Sequence, residues 1–219
     1  ADDLPVLRAV TQSGVVISTG STHSCYLKTG VIECFGDRDA GQTTVPALTN
    51  PRQVSTGFDF SCAIADEGVV CWGDNSRNQA NAPFTINPIQ IATGGRHACL
   101  LDGATVDCWG WNFNGQTDVP STLRNPRQVT AGLYHSCALD DDGVHCWGSN
   151  AYGQTDVPEL VNPKYLSSGL GNHNCVVDDT GVVCWGDDEH SQAQALPLVR
   201  PTDVSVGYEH TCALDDSGV

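Results

Sequence analysis

Short apolar runs alternate with polar turn residues along most of the chain, and one pattern returns at a fixed interval. The clearest copy is residues 128–163. Gln128-Val129-Thr130 is a short β-prone run that ends at Gly132. Ser136–Asp140 reads as a second strand, with Cys137 and Leu139 on one face at period two. Asp140-Asp141-Asp142-Gly143 reads as a turn, because Asp and Gly accept the backbone angles a turn needs. Val144–Trp147 is a third strand, with Val144 and Cys146 on one face. Gly153–Val157 is a looser fourth candidate, and Pro158 ends it.

The interval is 37 or 38 residues. It separates Cys25, Cys62, Cys99, Cys137, Cys175 and Cys212, and each of Cys34, Cys71, Cys108, Cys146 and Cys184 follows its partner by nine. Gly20, Gly57, Gly94, Gly132, Gly169 and Gly207 keep the same beat, five residues before the first cysteine. Gly, Pro and β-branched content exclude helical repeats of similar period. Three or four short antiparallel strands per repeat predict an all-β fold, a β-propeller. The repeats divide a single domain into a tail of a preceding blade at 1–14, full repeats at 15–52, 53–89, 90–127, 128–164 and 165–202, and a truncated one at 203–219. A seven-bladed ring at this period needs about 260 residues. The expectation is therefore seven blades in a longer chain, with six blades as the alternative.

The strand register gives the cysteines a meaning. Pairing Asp140 with Gly143 sets Cys137 opposite Cys146. Opposed residues bring Cβ atoms to about 4.5–5.5 Å, close to disulfide range. Five hairpin disulfides follow: Cys25–Cys34, Cys62–Cys71, Cys99–Cys108, Cys137–Cys146 and Cys175–Cys184. Each contributes somewhat under ~3 kcal/mol by loop entropy. Cys212 is left unpaired in this chain. The rival is zinc, since His23, His97, His135, His173 and His210 each precede a first cysteine by two residues. Zinc would have to occupy every blade, yet the second repeat has Phe60 at the histidine place. The expected role of these histidines is a partly buried ring satisfied by backbone.

Charge then narrows the partners. The chain has 26 acidic and 10 basic residues, a net charge of −16. Nucleic acid is excluded, because phosphate binding needs a basic surface. Anionic membranes are disfavoured too, and no apolar run approaches the ~18 residues of a spanning helix. Eleven cysteines point to an oxidising compartment, extracellular, cell-surface or periplasmic. The absence of any methionine implies a processed or excised chain, with any signal peptide already gone.

Residues 129–154, VTAGLYHSCALDDDGVHCWGSNAYGQ, and 91–116, IATGGRHACLLDGATVDCWGWNFNGQ, resemble the repeat of the regulator of chromosome condensation family. The resemblance extends over nearly all of the chain from Val16 onward. It implies a propeller, usually seven-bladed, and the cysteine-bearing form is similar to secreted or surface bacterial proteins. Some positions depart from the pattern. Phe35 stands where Trp72, Trp109, Trp147 and Trp185 recur, the loops after Asp37 and Asp187 lose the Asn, and Gln79 and Gln192 lack the preceding Gly. The family namesake is an exchange factor for a small GTPase and touches chromatin, a role the acidic charge does not match.

No nucleophile elbow, zinc-protease motif, phosphate loop or EF-hand spacing is present, so no enzyme, cofactor or metal site is expected. The acidic runs Asp140–Asp142, Asp178-Asp179 and Asp215-Asp216 read as turn chemistry, with cation binding as the minor reading. Asp187-Asp188-Glu189-His190 is a second weak cation candidate. Propellers bind through loops. Two variable loops recur, one after the repeat glycine and one after each Cys-Trp-Gly, the second containing Arg38, Arg77, Tyr152 and His190. Aromatic and arginine residues dominate protein interfaces. The expected partner contacts are Phe58, Arg96, Trp111, Phe113, Tyr134, Tyr152 and Tyr208. The function expected is an extracellular interaction or adhesive module with a protein partner, part of a larger surface or fibrous assembly. The resemblance implies one alternative, a secreted enzyme inhibitor of the β-lactamase-inhibiting kind; a channel-face enzyme is the third class.

Overall fold

The computed structural model describes residues 15–194 and 198–218. The expected tail at 1–14 lies outside the described residues. The chain forms six small antiparallel sheets in sequence order. Blade 1 is β1 (Val15–Thr19), β2 (His23–Lys28) and β3 (Val31–Gly36); blade 2 is β4 (Gln53–Thr56), β5 (Phe60–Ala65) and β6 (Gly68–Gly73). Blade 3 is β7 (Pro88–Thr93), β8 (His97–Asp102) and β9 (Thr105–Gly110). Blade 4 is β10 (Gln128–Ala131), β11 (His135–Asp140) and β12 (Gly143–Gly148); blade 5 is β13 (Tyr165–Ser168), β14 (His173–Asp178) and β15 (Gly181–Gly186). The sixth sheet is two-stranded, β16 (Asp203–Val206) with β17 (Thr211–Leu214). This is the repeated-blade architecture of a β-propeller.

The strand register is the one the turn chemistry requires. Asp140 pairs with Gly143, Leu139 with Val144 and Cys137 with Cys146. The same register recurs in the other full blades, and all five disulfides form with Cα atoms 4.0–4.1 Å apart. Cys212 is a free, exposed thiol. No fourth strand forms among the described residues: Gly153–Val157 is a turn followed by irregular chain. Its residues serve the loop described below instead.

Each core cluster lies between two blades rather than inside one. Cys99 and Leu101 of blade 3 pack with Val129, Ala138 and Trp147 of blade 4. Cys137 and Leu139 of blade 4 pack in turn with Leu166, Val176 and Trp185 of blade 5. Successive residues of a middle strand therefore face opposite cores, and β11 is buried at every position. A strand covered on both faces loses the hydrophobic–polar alternation of a half-buried one.

Side-chain pairs close these seams. The His97 Nε2 lies 2.9 Å from the Ser136 hydroxyl, His135 Nε2 is 2.8 Å from Asn174 Oδ1, and His173 Nε2 is 2.9 Å from the Thr211 hydroxyl. His23 reaches Ser61 in the same way, at 2.8 Å. The expectation of backbone partners is thus corrected for these four, each of which meets a polar side chain on the next blade, while His210 is exposed. Where Phe60 replaces histidine, Ala98 replaces its polar partner, and the two share an apolar cluster. Close approach explains the repeat glycine. A Cβ on Gly94 would lie 2.3 Å from the Gly132 carbonyl oxygen and 2.4 Å from His97 Cε1.

Candidate interaction surface

The hairpin turns sit at one end of the blades. Both variable loops sit at the other, because the loop leaving the third strand bonds back to the loop between the first two. The amide of Trp111 donates to the Arg96 carbonyl at 2.8 Å, and that of Ser149 to the Tyr134 carbonyl at 2.9 Å. This is the loop end.

Its frame is rigid for identifiable reasons. Asn112 Oδ1 accepts the Thr117 amide and its Nδ2 donates to Asp118; Asn150 does the same with Thr155 and Asp156. In the departing loop, Asp188 keeps the acceptor role toward Ala193, and Gln194 supplies the donor. Gln116 and Gln154 are fully buried, and their side-chain oxygens accept their own loop's amides. The Gln116 carbonyl accepts the Trp147 indole at 3.0 Å and the Ser136 hydroxyl at 2.9 Å from the next blade. Each loop is thereby pinned to its neighbour. Asn78 and Ser191, which replace the loop glycine, take its positive φ at 62° and 63°.

On this frame Trp111 sits in a group of aromatic side chains from blades 3 and 4, joined by Arg77 from blade 2. Its ring is 5.3 Å from Tyr134, edge-on, and 6.3 Å from Phe113, stacked. The Arg77 guanidinium lies 5.6 Å from the Trp111 ring centre. Such a contact adds about 0.5–1 kcal/mol at an exposed site. Phe113 is 81% exposed. Three of the seven expected contacts, Trp111, Phe113 and Tyr134, are thus brought together. Arg96 adjoins them through its carbonyl and lies near Asp74. Phe58 is half-buried, its amide donating to the Gly95 carbonyl at 3.3 Å. Tyr152, on blade 4, and Tyr208, on the sixth sheet, are exposed and outside the aromatic group. Arg77 was not among the seven expected contacts, and only its place in the second variable loop pointed to it.

The acidic residues are occupied with structure. Asp140 is fully buried and accepts the Arg124 amide at 2.7 Å and the Asp142 amide at 2.8 Å, with the His145 Nε2 3.2 Å from its carboxylate. Burial alone would raise its pKa, but the two backbone amides and the nearby His145 outweigh it and hold the carboxyl below its ordinary range. Asp178 and Asp215 accept the amides of Val161 and Val199 in the same manner. Asp187 Oδ1 accepts the Glu189 amide. No group of three potential metal ligands exists among the described residues.

The first strands of all six blades line a shared central cavity of about 600 Å³. Sequence reasoning found no acid–base pair for it, yet Tyr165 and Asp203 meet there. Burial pushes both groups toward their neutral forms, and each lies close enough to the other to influence its titration. They stand where Gln53, Gln90 and Gln128 clamp the next blade's backbone, as Gln90 does by bonding both Val129 backbone groups. The pair is thus a variant of a seam clamp.

These features define a disulfide-stapled β-propeller whose variable residues gather at its loop end. Residues 52–79, 89–116 and 127–154 match the family model of the regulator of chromosome condensation (RCC1) repeat. No curated protein sequence matches the chain. Human WBSCR16 superposes with a TM-score of 0.76 at 19% identity, covering 92% of this chain and 72% of that one. The ectodomain of the Physcomitrella patens receptor kinase CR4 gives a TM-score of 0.76 at 25% identity, over 93% of this chain and 61% of that one. Prp20p from Saccharomyces cerevisiae, studied for its binding to Gsp1p and histones, gives 0.72 at 18% identity, over 91% and 69%. No described helix is long and apolar enough to cross a membrane.

Proposed function

We propose that this propeller is an extracellular, cell-surface or periplasmic protein-interaction module that receives a protein partner on its loop end. The observation that carries this reading is the aromatic group of Trp111, Phe113 and Tyr134 under Arg77, drawn from three blades and held on pinned loops. Preformed aromatic and arginine anchors lose little entropy on binding and concentrate binding energy. Five hairpin disulfides support an oxidising compartment. A net charge of −16 argues against a nucleic-acid partner. No reaction is assigned to the chain. The adhesive or assembly role is the same reading with the partner fixed at a surface.

The test is photo-crosslinking from a benzophenone residue at position 134, followed by reconstitution with the purified partner. Trp111→Ala should weaken that complex by about 2 kcal/mol or more. Crosslinks that survive undiminished in Arg77→Ala/Trp111→Ala/Tyr152→Ala would refute the loop-end site. Inhibition of a purified β-lactamase would select the inhibitor reading over the adhesive one.

A further inference from the structure

The hairpin end of blade 3 departs from that of blades 2, 4 and 5. In blade 2 Arg52 pairs with Asp66, in blade 4 Arg127 with Asp141, in blade 5 Lys164 with Asp179 and in the sixth sheet Arg200 with Asp216. In blade 3 Ile89 stands at the place of the base and Gly103 at that of the acid, so this ion pair is missing; Asp102, at the place of Asp140 and Asp178, makes no ion pair among the described residues either. The backbone changes with it. β7 begins early, at Pro88, and its pairing with β8 slips between Pro88 and Gln90, leaving Ile89 unpaired as a bulge. A bulge re-aims the side chain it carries. Ile89 is 39% exposed, and on the same short segment Phe84 is 92% and Ile86 87% exposed. Phe84 and Ile86 occupy the places held by Ala47 and Thr49 one repeat earlier.

The segment is held in place. Asp102 accepts the amides of Ile86 at 3.0 Å and Asn87 at 2.5 Å, and the Thr85 hydroxyl packs against Gly68 of the blade 2 hairpin. Phe84 and Ile86 are therefore presented to solvent by an anchored loop and Ile89 by the bulge that follows it, at the rim of the central cavity, near two carboxylates that make no ion pair among the described residues, Asp102 and Glu67. Contiguous exposed apolar surface on a soluble protein marks an interaction site. The acidic rim selects its occupant. A second copy of this chain and an anionic lipid surface both carry charge of the wrong sign.

We infer that Phe84, Ile86 and Ile89 form a second docking site, on the opposite end from Trp111, for a partner-protein segment that combines apolar side chains with Lys or Arg. It is independent of the loop-end reading.

The test grafts the preceding repeat onto this one: Phe84→Ala, Ile86→Thr and Ile89→Arg. The probes are three fluorescein-labelled 12-residue peptides, alternating Leu/Lys, Ser/Lys and Leu/Glu, titrated by anisotropy at physiological salt. The Leu/Lys peptide should bind the native chain about tenfold tighter than either control, and the graft should remove that advantage. An unchanged thermal midpoint shows that the graft folds, and single Phe84→Ala, reading about a threefold loss, keeps the test open if it does not. Equal binding of Leu/Lys and Ser/Lys, or no effect of both variants, overturns the proposal. So does a doubled mass in light scattering that the graft abolishes, or uptake by phosphatidylcholine vesicles in place of the peptide.

Discussion

Two seams of the same propeller solve one packing problem in opposite ways. Between blades 3 and 4 a buried His97 meets the Ser136 hydroxyl; between blades 2 and 3 Phe60 packs on Ala98. The sockets are equivalent in place, and each holds either a hydrogen-bonded side-chain pair, through the His97 Nε2, or a wholly apolar one. What the seam requires is agreement between the two sides. A buried polar atom without a partner costs far more than either matched solution.

The seams also differ in what they demand of pH. Burial depresses His97 to about 3, with the neighbouring His135 adding to the shift, and burial takes His135 itself to about 4. Both are neutral in the folded state, whereas the unfolded chain takes up their protons near 6.5. Their contribution to stability is complete above pH 6.5 and is lost as pH falls toward the folded values. The Phe60 seam has no such dependence.

Four experiments can break or sharpen this contrast. The largest effect is loss of a staple. Cys62→Ser/Cys71→Ser and Cys99→Ser/Cys108→Ser close loops of the same length and should each cost about 2.5 kcal/mol in urea unfolding. Clearly unequal losses would mean the two blades are not equivalent hosts. Next, Phe60→His against Ala98 should cost about 2 kcal/mol, and adding Ala98→Ser should recover more than half of it. A purely additive double variant would show that the two sides do not need to match. Third, His97→Phe/Ser136→Ala should flatten the decline in stability between pH 6.5 and 4. A pH profile parallel to that of the native chain would remove His97 as a source of acid sensitivity. Smallest, Arg77→Ala should leave the unfolding midpoint within about 0.5 kcal/mol while altering Trp111 emission, since the contact is exposed. A large stability loss would make Arg77 part of the frame rather than of the surface.

The repeat length, the hairpin register and the staples were legible because each is local: nine residues and a period of two contain the whole argument. The fourth strand at Gly153–Val157 was misread because its residues cap a loop and hand a carbonyl to the next blade. The seams were harder to see. His97 and Ser136 are 39 residues apart, and each reads alone as a motif letter. A signal was nonetheless present, since Phe60 and Ala98 depart from the pattern together. For the surface, Trp111 and Tyr134 were visible as variable aromatics, but their meeting across blades depends on the loop fold. The bulge at Ile89 had no legible cause, because a register slip is decided by pairing with β8.

The staples also set how the molecule would respond to force. Each disulfide bridges residues nine apart across a hairpin, so a pulled chain cannot pay out that stretch even after its blade has come undone. At full extension each hairpin would otherwise add about 30 Å. A tether made of these blades would therefore lengthen in shorter steps under oxidising conditions than after reduction, and its reach would be set by the redox state of its surroundings.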